Sequence, residues 1–293
     1  MRRLPRRGLS TLMVLLAIEA TAFAQSEGPV GVRAAGMGGA FTAVADDASA
    51  AFWNPAGFAT GSFFSVVLDA NALDRRSAWL VALGTPPLGI SYYRTAIAEV
   101  KNGRHTLVAH HAGVTLVQSL GGRLAVGTTL KLVHGIAFPS GGAGISTNKF
   151  DADLGVMATG SLAQLGLSVR NLLQPAFRTP GGPIRLDRRV RAGVSIHATQ
   201  DTTVAADLDL TRATTPRGDW RDAAVGLEAH PGRSAWVRGG VHWNTAGGPA
   251  GAAPVGSIGG SYGVYGSIQA DAQVSFGSAN GDRGWGVGMR FVF

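Results

Sequence analysis

The chain has 293 residues, of which 43 are Gly and none Cys; only 15% are charged, the formal net charge is +8 and the mean hydropathy is +0.15. Soluble domains carry about 25% charged residues and about 7% Gly, so charge is depleted here and Gly roughly doubled. Without Cys there is no disulfide framework, thiolate nucleophile or Cys-ligated metal. Beyond residue 24 no apolar run approaches the ~20 residues of a spanning helix, because Gly, Asp, Arg or Ser soon interrupts each one. What remains is a strand-rich, Gly-rich protein that meets lipid on one face.

Residues 1–24 have the order of a secretory signal: a basic start (Arg2, Arg3, Arg6, Arg7), an apolar stretch from Leu9 to Ala20, and Ala22-Phe23-Ala24 as an A-x-A cleavage site. Glu19 is an unwelcome charge in that stretch. The Arg6-Arg7 pair would suit twin-arginine export, but the residues after it fit poorly. Cleavage after Ala24 removes four Arg and one Glu, lowering the charge from +8 to +5. The expected destination is a bacterial envelope.

Residues 25–60 are too few for a domain and too apolar to stand in water, so they are expected to pack inside something. Gly36, Gly38 and Gly39 permit close backbone approach. Asp46 or Asp47 is placed to cap a short helix begun by Ala48 to Phe52, which Pro55 then ends.

From residue 61 the apolar positions recur with period two, the mark of strands with one apolar face. Leu124, Val126, Thr128, Leu130 and Leu132 alternate with Ala125, Gly127, Thr129 and Lys131; Ile268, Ala270, Ala272, Val274 and Phe276 alternate with Gln269, Asp271, Gln273 and Ser275. Fourteen such segments follow one another, near 61–70, 76–84, 88–96, 105–118, 122–136, 148–159, 163–172, 188–199, 202–211, 219–229, 234–244, 255–264, 266–277 and 284–293. Twelve is the alternative, since 255–277 is Gly-rich and its register soft. Ten residues tilted by ~45° span roughly 24 Å, the height of a barrel's apolar band. Short connections such as Pro86-Pro87 and Gln200-Asp201 alternate with long ones such as Leu173 to Asp187, as periplasmic turns and extracellular loops do. The fold class read from this is all-β, a transmembrane antiparallel barrel of about 14 strands over residues 61–293 with residues 25–60 inside its lumen.

If the apolar faces meet lipid, the opposite faces line the lumen. There Lys131, Arg170, Arg189, Arg191, Arg238 and Arg290 stand against Asp151, Asp153, Asp207, Asp209, Asp222, Glu228 and Asp271. A charge-selective pore would show a ring of one sign. Near balance suggests paired networks bracing a plug or the wall, since unpaired buried charge is expensive; a solvated lumen with scattered charges is the plainer reading. The outer loops hold most of the excess positive charge (Arg75, Arg76, Lys101, Arg104, Lys149, Arg178, Arg185, Arg188, Arg212, Arg217, Arg283). Such residues suit the phosphates of lipopolysaccharide, the expected partner alongside outer-membrane lipid. Their dispersion argues against nucleic acid.

Catalysis is not expected, and no cofactor or metal site stands out. Ser195, His197 and Asp207 form a weak Ser–His–Asp candidate for a lipid hydrolase, expected if a tight turn sets Asp207 opposite Ser195. His110 and His111 cannot chelate together, because neighbouring strand residues face opposite ways. Gly36-Met37-Gly38-Gly39 lacks the strand–helix context of a dinucleotide site.

The run from Arg33 to Gly57 closely resembles the N-terminal hatch of the FadL family of outer-membrane transporters. The related PorV/PorQ barrels share its A-G-M-G-G-A-F, A-D-D-A-S-A and N-P-A-G elements. Arg170-Asn171-Leu172 is also similar to the PorV/PorQ pattern. The terminal strand, with Trp285, Met289, Phe291 and a final Phe293, resembles the signal read by the barrel-assembly machinery. The resemblance implies a hatch folded into the barrel. It makes Gly36, Met37, Gly38, Gly39, Phe41, Asp46, Asp47, Ser49, Trp53, Asn54, Pro55, Ala56 and Gly57 the candidate hatch and ligand-pathway residues. In FadL-like members a hydrophobic ligand is captured outside and leaves sideways through the wall; in PorV-like members the barrel is a scaffold or shuttle for a secreted protein. This chain is shorter than true FadL, with loops too small for a large capture groove. The expected function is hatch-gated passive passage of hydrophobic small molecules, with the scaffold as the alternative.

Overall fold

A computed structural model describes residues 30–73, 76–100, 104–138, 144–179, 182–215, 218–247, 253–277 and 283–293. The signal segment and its cleavage site lie outside the described residues, as do Arg75, Lys101 and Arg217.

The N-terminal segment forms α1 (Val32–Gly36), α2 (Ala50–Trp53) and a 3-10 turn over Pro55–Ala59. The strands follow: β1 (Ser65–Leu73), β2 (Arg76–Thr85), β3 (Leu88–Val100), β4 (Arg104–Leu120), β5 (Leu124–Phe138), β6 (Ile145–Thr159), β7 (Ala163–Arg170), β8 (Ala176–Thr179), β9 (Gly182–Arg185), β10 (Arg189–Thr199), β11 (Thr202–Asp209), β12 (Ala213–Thr215), β13 (Gly218–Trp220), β14 (Asp222–Ala229), β15 (Ala235–Asn244), β16 (Val255–Tyr265), β17 (Ile268–Phe276) and β18 (Gly284–Val292). Fourteen of them, all but β8, β9, β12 and β13, form one closed antiparallel barrel in which β1 pairs with β18. Closure leaves no sheet edge, which is what allows strands to cross lipid. Among the described residues no helix is long and apolar enough to do so.

The period-two pattern maps onto the two faces. Leu130, Leu165, Ile196, Val225, Ile258, Val287 and Met289 point outward and are exposed, whereas Lys131, Asp153, Asp207, Arg238 and Asp271 point inward and are buried. This is a polar interior inside an apolar exterior, the arrangement of a barrel in a bilayer. Trp285 and Phe293 are exposed on the outer surface, and Phe293 N donates to Phe64 O at 2.9 Å.

Several boundaries differ from the sequence pattern, and two connections hold hairpins of their own. The first strand starts at Ser65 instead of residue 61, because the chain there still packs on the N-terminal segment: a Cβ on Gly61 would sit 1.7 Å from Asp46 O. The Leu173–Asp187 connection contains the hairpin β8–β9, which folds into the barrel mouth. Its Phe177, with Ile184 and Leu186, packs against Leu107, Ala109, Val133 and Ala137 of the inner wall. The connection after β11 holds a second hairpin, β12–β13. The soft 255–277 region pairs as two strands with one register shift between Gly263 and Tyr265.

Residues 30–60 occupy the lumen. They fit because six strands offer Gly on the inner face, often directly paired: Gly127 with Gly155, Gly166 with Gly193, and Gly226 with Gly240. A Cβ on Gly127 would lie 2.4 Å from Pro55, on Gly155 2.1 Å from Asn54 Oδ1, on Gly166 2.4 Å from Thr42 O, and on Gly240 2.1 Å from Met37. At the facing position, Gly38 has φ 65° and its own Cβ would meet Val241 N at 2.7 Å.

Gly240→Leu should therefore keep the segment from seating. The expected loss is about 1–3 kcal/mol, the usual cost of overpacking, read as a lower temperature for loss of the compact band on unheated gels. Gly239→Ala, which faces outward with nothing nearer than 4.0 Å, should leave that temperature unchanged.

Candidate functional site

Two polar networks join the N-terminal segment to the barrel wall. In the first, Asp207 Oδ2 accepts from Phe41 N (3.0 Å), Thr42 N (2.9 Å), Thr42 Oγ1 (2.7 Å) and Arg191 Nε (3.0 Å). Arg191 also donates to Asp209 (2.8 Å), Asp222 (3.1 Å) and the carbonyl of Gly39 (3.0 Å). One aspartate thus satisfies two backbone N–H groups that no helix or strand engages, and buried donors need such partners.

In the second network Arg33 of α1 grips Glu228 of β14 through two bonds (2.9 and 2.7 Å) and pairs with Asp46 and, at 3.0 Å, Asp47. Arg290 of β18 reaches Asp47 (3.5 Å) and Asp271 (2.8 Å), while Arg238 of β15 joins Glu228 (2.5 Å) and Asp271 (3.3 Å). Burial works against the charge on Arg33, but Asp46, Glu228 and Asp47 outweigh it and hold the guanidinium well above its ordinary pKa. Burial likewise opposes the charge on Asp47, yet Arg33, Arg290 and the Ser49 hydroxyl hold its carboxyl below the ordinary carboxylate range.

A third network belongs to the wall and the mouth. Lys131 pairs with Asp153 (2.7 Å) and Asp151 (3.1 Å), and these carboxylates accept from Asn171 N (2.9 Å) and Leu173 N (3.0 Å). It fixes the chain as it turns inward after β7. Arg170 lies over the Phe52 ring, 4.1 Å from its centroid, and Arg189 stands opposite Arg170 in the ladder. Arg185 and Arg212 of the outer loops face Asp187 (3.2 Å) and Asp219 (3.8 Å).

Within the segment, Trp53 is the hub. Its Nε1 donates to Val30 O (2.8 Å), and its ring meets Phe41 and Phe52 edge-on at 6.0 and 5.4 Å. Asn54 is fully buried; its Nδ2 donates to Thr42 O (2.9 Å) and Val156 O (3.1 Å), and its Oδ1 accepts from Ala56 N (3.2 Å). Pro55, Ala56 and Gly57 make the turn that presses on β5 and β6. Asp47 does not cap α2 through its side chain; Ser49 holds the N-cap position and Asp47 Oδ1 accepts from Ser49 N (2.9 Å). The Asp side chain closes a local turn instead, because its other oxygen is committed to Arg33.

The hydrolase candidate is not assembled. Ser195 Oγ donates to Ala43 O (3.1 Å), His197 is exposed beside Thr203 (3.1 Å), and Asp207 is bonded to the segment. The ladder sets Asp207 opposite Gly193, not Ser195, because the turn after β10 and a register shift at His197–Thr199 move the pairing by two residues. His110 and His111 face opposite sides, His111 stacking on Tyr93 at 4.2 Å inside. Asp69, which accepts from Val32 N (2.8 Å), and Ser65, which accepts from Ala48 N (3.0 Å), also hold the segment and were not among the sequence candidates. Inward parity on β1 was the available signal. A cavity of about 430 Å³ opens where Thr60, Gly61 and Ser62 face Glu228, Arg238 and Arg290.

The class is thus a bilayer-type barrel whose lumen is occupied by its own N-terminal segment. No protein-family model matches the sequence, and no curated protein matches it. The fold is that of the FadL-like barrels. It is similar to the CymD monoaromatic hydrocarbon channel, with a TM-score of 0.70 and 14% identity over 93% of this chain and 99% of that one. It is similar to the Ralstonia pickettii toluene transporter TbuX (TM-score 0.68, 12% identity, 92% and 99% covered) and to a Pseudomonas aeruginosa FadL homologue (0.62, 9%, 89% and 97%).

Because the Asp47 carboxyl is held below its ordinary range, its contribution to seating the segment is complete above that range and is lost only as pH falls through the lowered value. Hydrogen exchange of residues 30–60 should therefore stay slow from neutral pH to about pH 4 and quicken below it. Asp47→Asn should raise exchange already at neutral pH.

Proposed function

We propose that the chain is an outer-membrane barrel that passes small hydrophobic molecules passively, with residues 30–60 acting as a hatch. The observation that carries this reading is the filled lumen. The segment is tied to the wall by Arg191 of β10 and Asp207 of β11, by Glu228 of the neighbouring β14, and by Arg290 of β18. A barrel so filled is a poor water channel, and the segment packs on the wall through a buried aromatic cluster (Phe41, Phe52 and Trp53 against Tyr93 of β3). The FadL-like fold supports the reading, since CymD is a monoaromatic hydrocarbon channel and TbuX and the Pseudomonas putida TodX are toluene transporters. The candidate residues Gly36, Met37, Phe41, Trp53, Asn54, Pro55 and Ala56 belong to this hatch in the proposal.

Expression in a strain lacking hydrocarbon channels should raise the initial uptake of radiolabelled toluene several-fold without raising uptake of a small sugar. Deleting residues 31–57 should let the sugar through as well. Unchanged toluene uptake by folded, membrane-inserted protein would overturn the transport reading; co-purification of one envelope protein in its place would favour the PorV/PorQ-like scaffold.

A further inference from the structure

The outward face of the barrel carries one row that breaks its apolar character. Trp79 of β2, Arg94 of β3, His110 of β4, His134 of β5 and Asn148 of β6 lie directly opposite one another across five consecutive strands. Below the row stand Tyr92, Leu132 and Phe150, the last 78% exposed, and further down Ile90, Val114 and Leu130 continue the apolar wall. Aromatic residues at such a boundary mark the level where hydrocarbon gives way to headgroups. The chain enters β1 at Ser65 and leaves β18 at Val292 at the other end of the strands, and the connections that hold the β8–β9 and β12–β13 hairpins lie at this end, so this boundary is the outer one.

The polar side chains of the row are held in place. Arg94 Nη1 donates to Ser77 O (3.1 Å) and Ser77 Oγ (2.9 Å), His110 Nδ1 meets the Tyr92 hydroxyl at 2.6 Å, and His134 Nδ1 meets Asn148 Oδ1 at 2.5 Å. The two imidazole centroids are 6.2 Å apart. Neither the row nor the rows on either side of it (Ala96, Val108, Ile136, Ser146; Tyr92, Ala112, Leu132, Phe150) contain a carboxylate. In the lumen Arg33, Lys131, Arg191, Arg238 and Arg290 are each paired with an acid; in this row a guanidinium and two imidazoles face outward with no carboxylate in the row or its neighbours.

We propose that this row binds the phosphorylated sugar headgroup of an outer-leaflet glycolipid, its acyl chains lying on the apolar wall below. From Arg94 to Asn148 the row spans three strand spacings, roughly 14 Å, enough for a disaccharide. Arginine supplies a fixed charge with planar donors suited to phosphate. An imidazole ring N–H turned outward donates to a phosphate oxygen beside the guanidinium. The proposal rests on the outer-membrane reading but not on transport, because no residue of the row faces the lumen.

Native mass spectrometry of the barrel in detergent, titrated with diphosphoryl lipid A, tests this. One lipid should be retained, and Arg94→Ala/His110→Ala/His134→Ala should weaken retention about tenfold or more, as for loss of one or more charge-assisted bonds. The compact band on unheated gels should be unchanged. Should the triple variant not fold, wild-type protein still decides, because phosphate-free lipid A should bind at least about tenfold more weakly. Equal retention by the folded variant, equal retention of the phosphate-free lipid, or inorganic phosphate bound as tightly as lipid A would each overturn the proposal. Toluene uptake by the variant should match wild type, which keeps this test separate from that of the transport reading.

Discussion

The structure depends on a fit between a folded N-terminal segment and a barrel wall lined with Gly. Filling a lumen of this size with long side chains would crowd out any insert; leaving it open would leave a water channel. Gly127, Gly155, Gly166, Gly193, Gly226 and Gly240 take a third course. They remove the side chain where the backbone of the segment must approach, so main chain packs against main chain. Such contacts bury polar N–H and C=O groups, and each needs a partner. Asp207, Asp69, Ser65 and Ser195 supply them from the wall, and the Asn54 amide supplies them from the segment.

The charges follow from the same constraint. Arg33 and Asp47 sit in the segment, and Glu228 and Arg290 in the wall, so the ion pairs cross the interface in both directions. Replacing a buried pair by apolar groups often costs little, while removing one partner costs much. The networks therefore specify one docked position of the segment more than they add to the stability of the barrel. A polar joint also differs from an apolar one in responding to acid, and the second network borders the 430 Å³ cavity beside Thr60 to Ser62. The aromatic cluster around Trp53 and Tyr93 meets the same networks, with Arg33 over the Phe41 ring (5.2 Å) and Arg191 over that of Trp53 (5.9 Å).

The outer wall has a logic of its own. β3 to β6 have 13 to 17 residues, against 8 to 11 for the other barrel strands, and they raise one side of the barrel above the rest. The β8–β9 hairpin leans on the inner face of this tall side, with Phe177 set into the space left by Gly135, and the polar row from Arg94 to Asn148 crosses its outer face. One extension thus offers an apolar surface to the mouth and a polar one to the membrane boundary.

The strands and the face that each residue takes were readable along the chain, because a period of two is a local property; the structure settles fourteen strands over twelve, and its β1–β2 and β3–β4 connections, two and three residues long, break the expected alternation of short turns with long loops. The inward set Lys131, Asp153, Arg191, Asp207, Glu228 and Arg290 was legible for the same reason. Which cation meets which acid was not, since register across fourteen strands and the docking of residues 30–60 join positions as far apart as Arg33 and Glu228. The pairing that sets Asp207 opposite Gly193 turned on one register shift, and it separated Ser195 from the aspartate the turn had promised. The row on the outer face was equally hidden: Arg94, His110, His134 and Asn148 are unremarkable one by one and become a surface only when the registers of β3 to β6 align them.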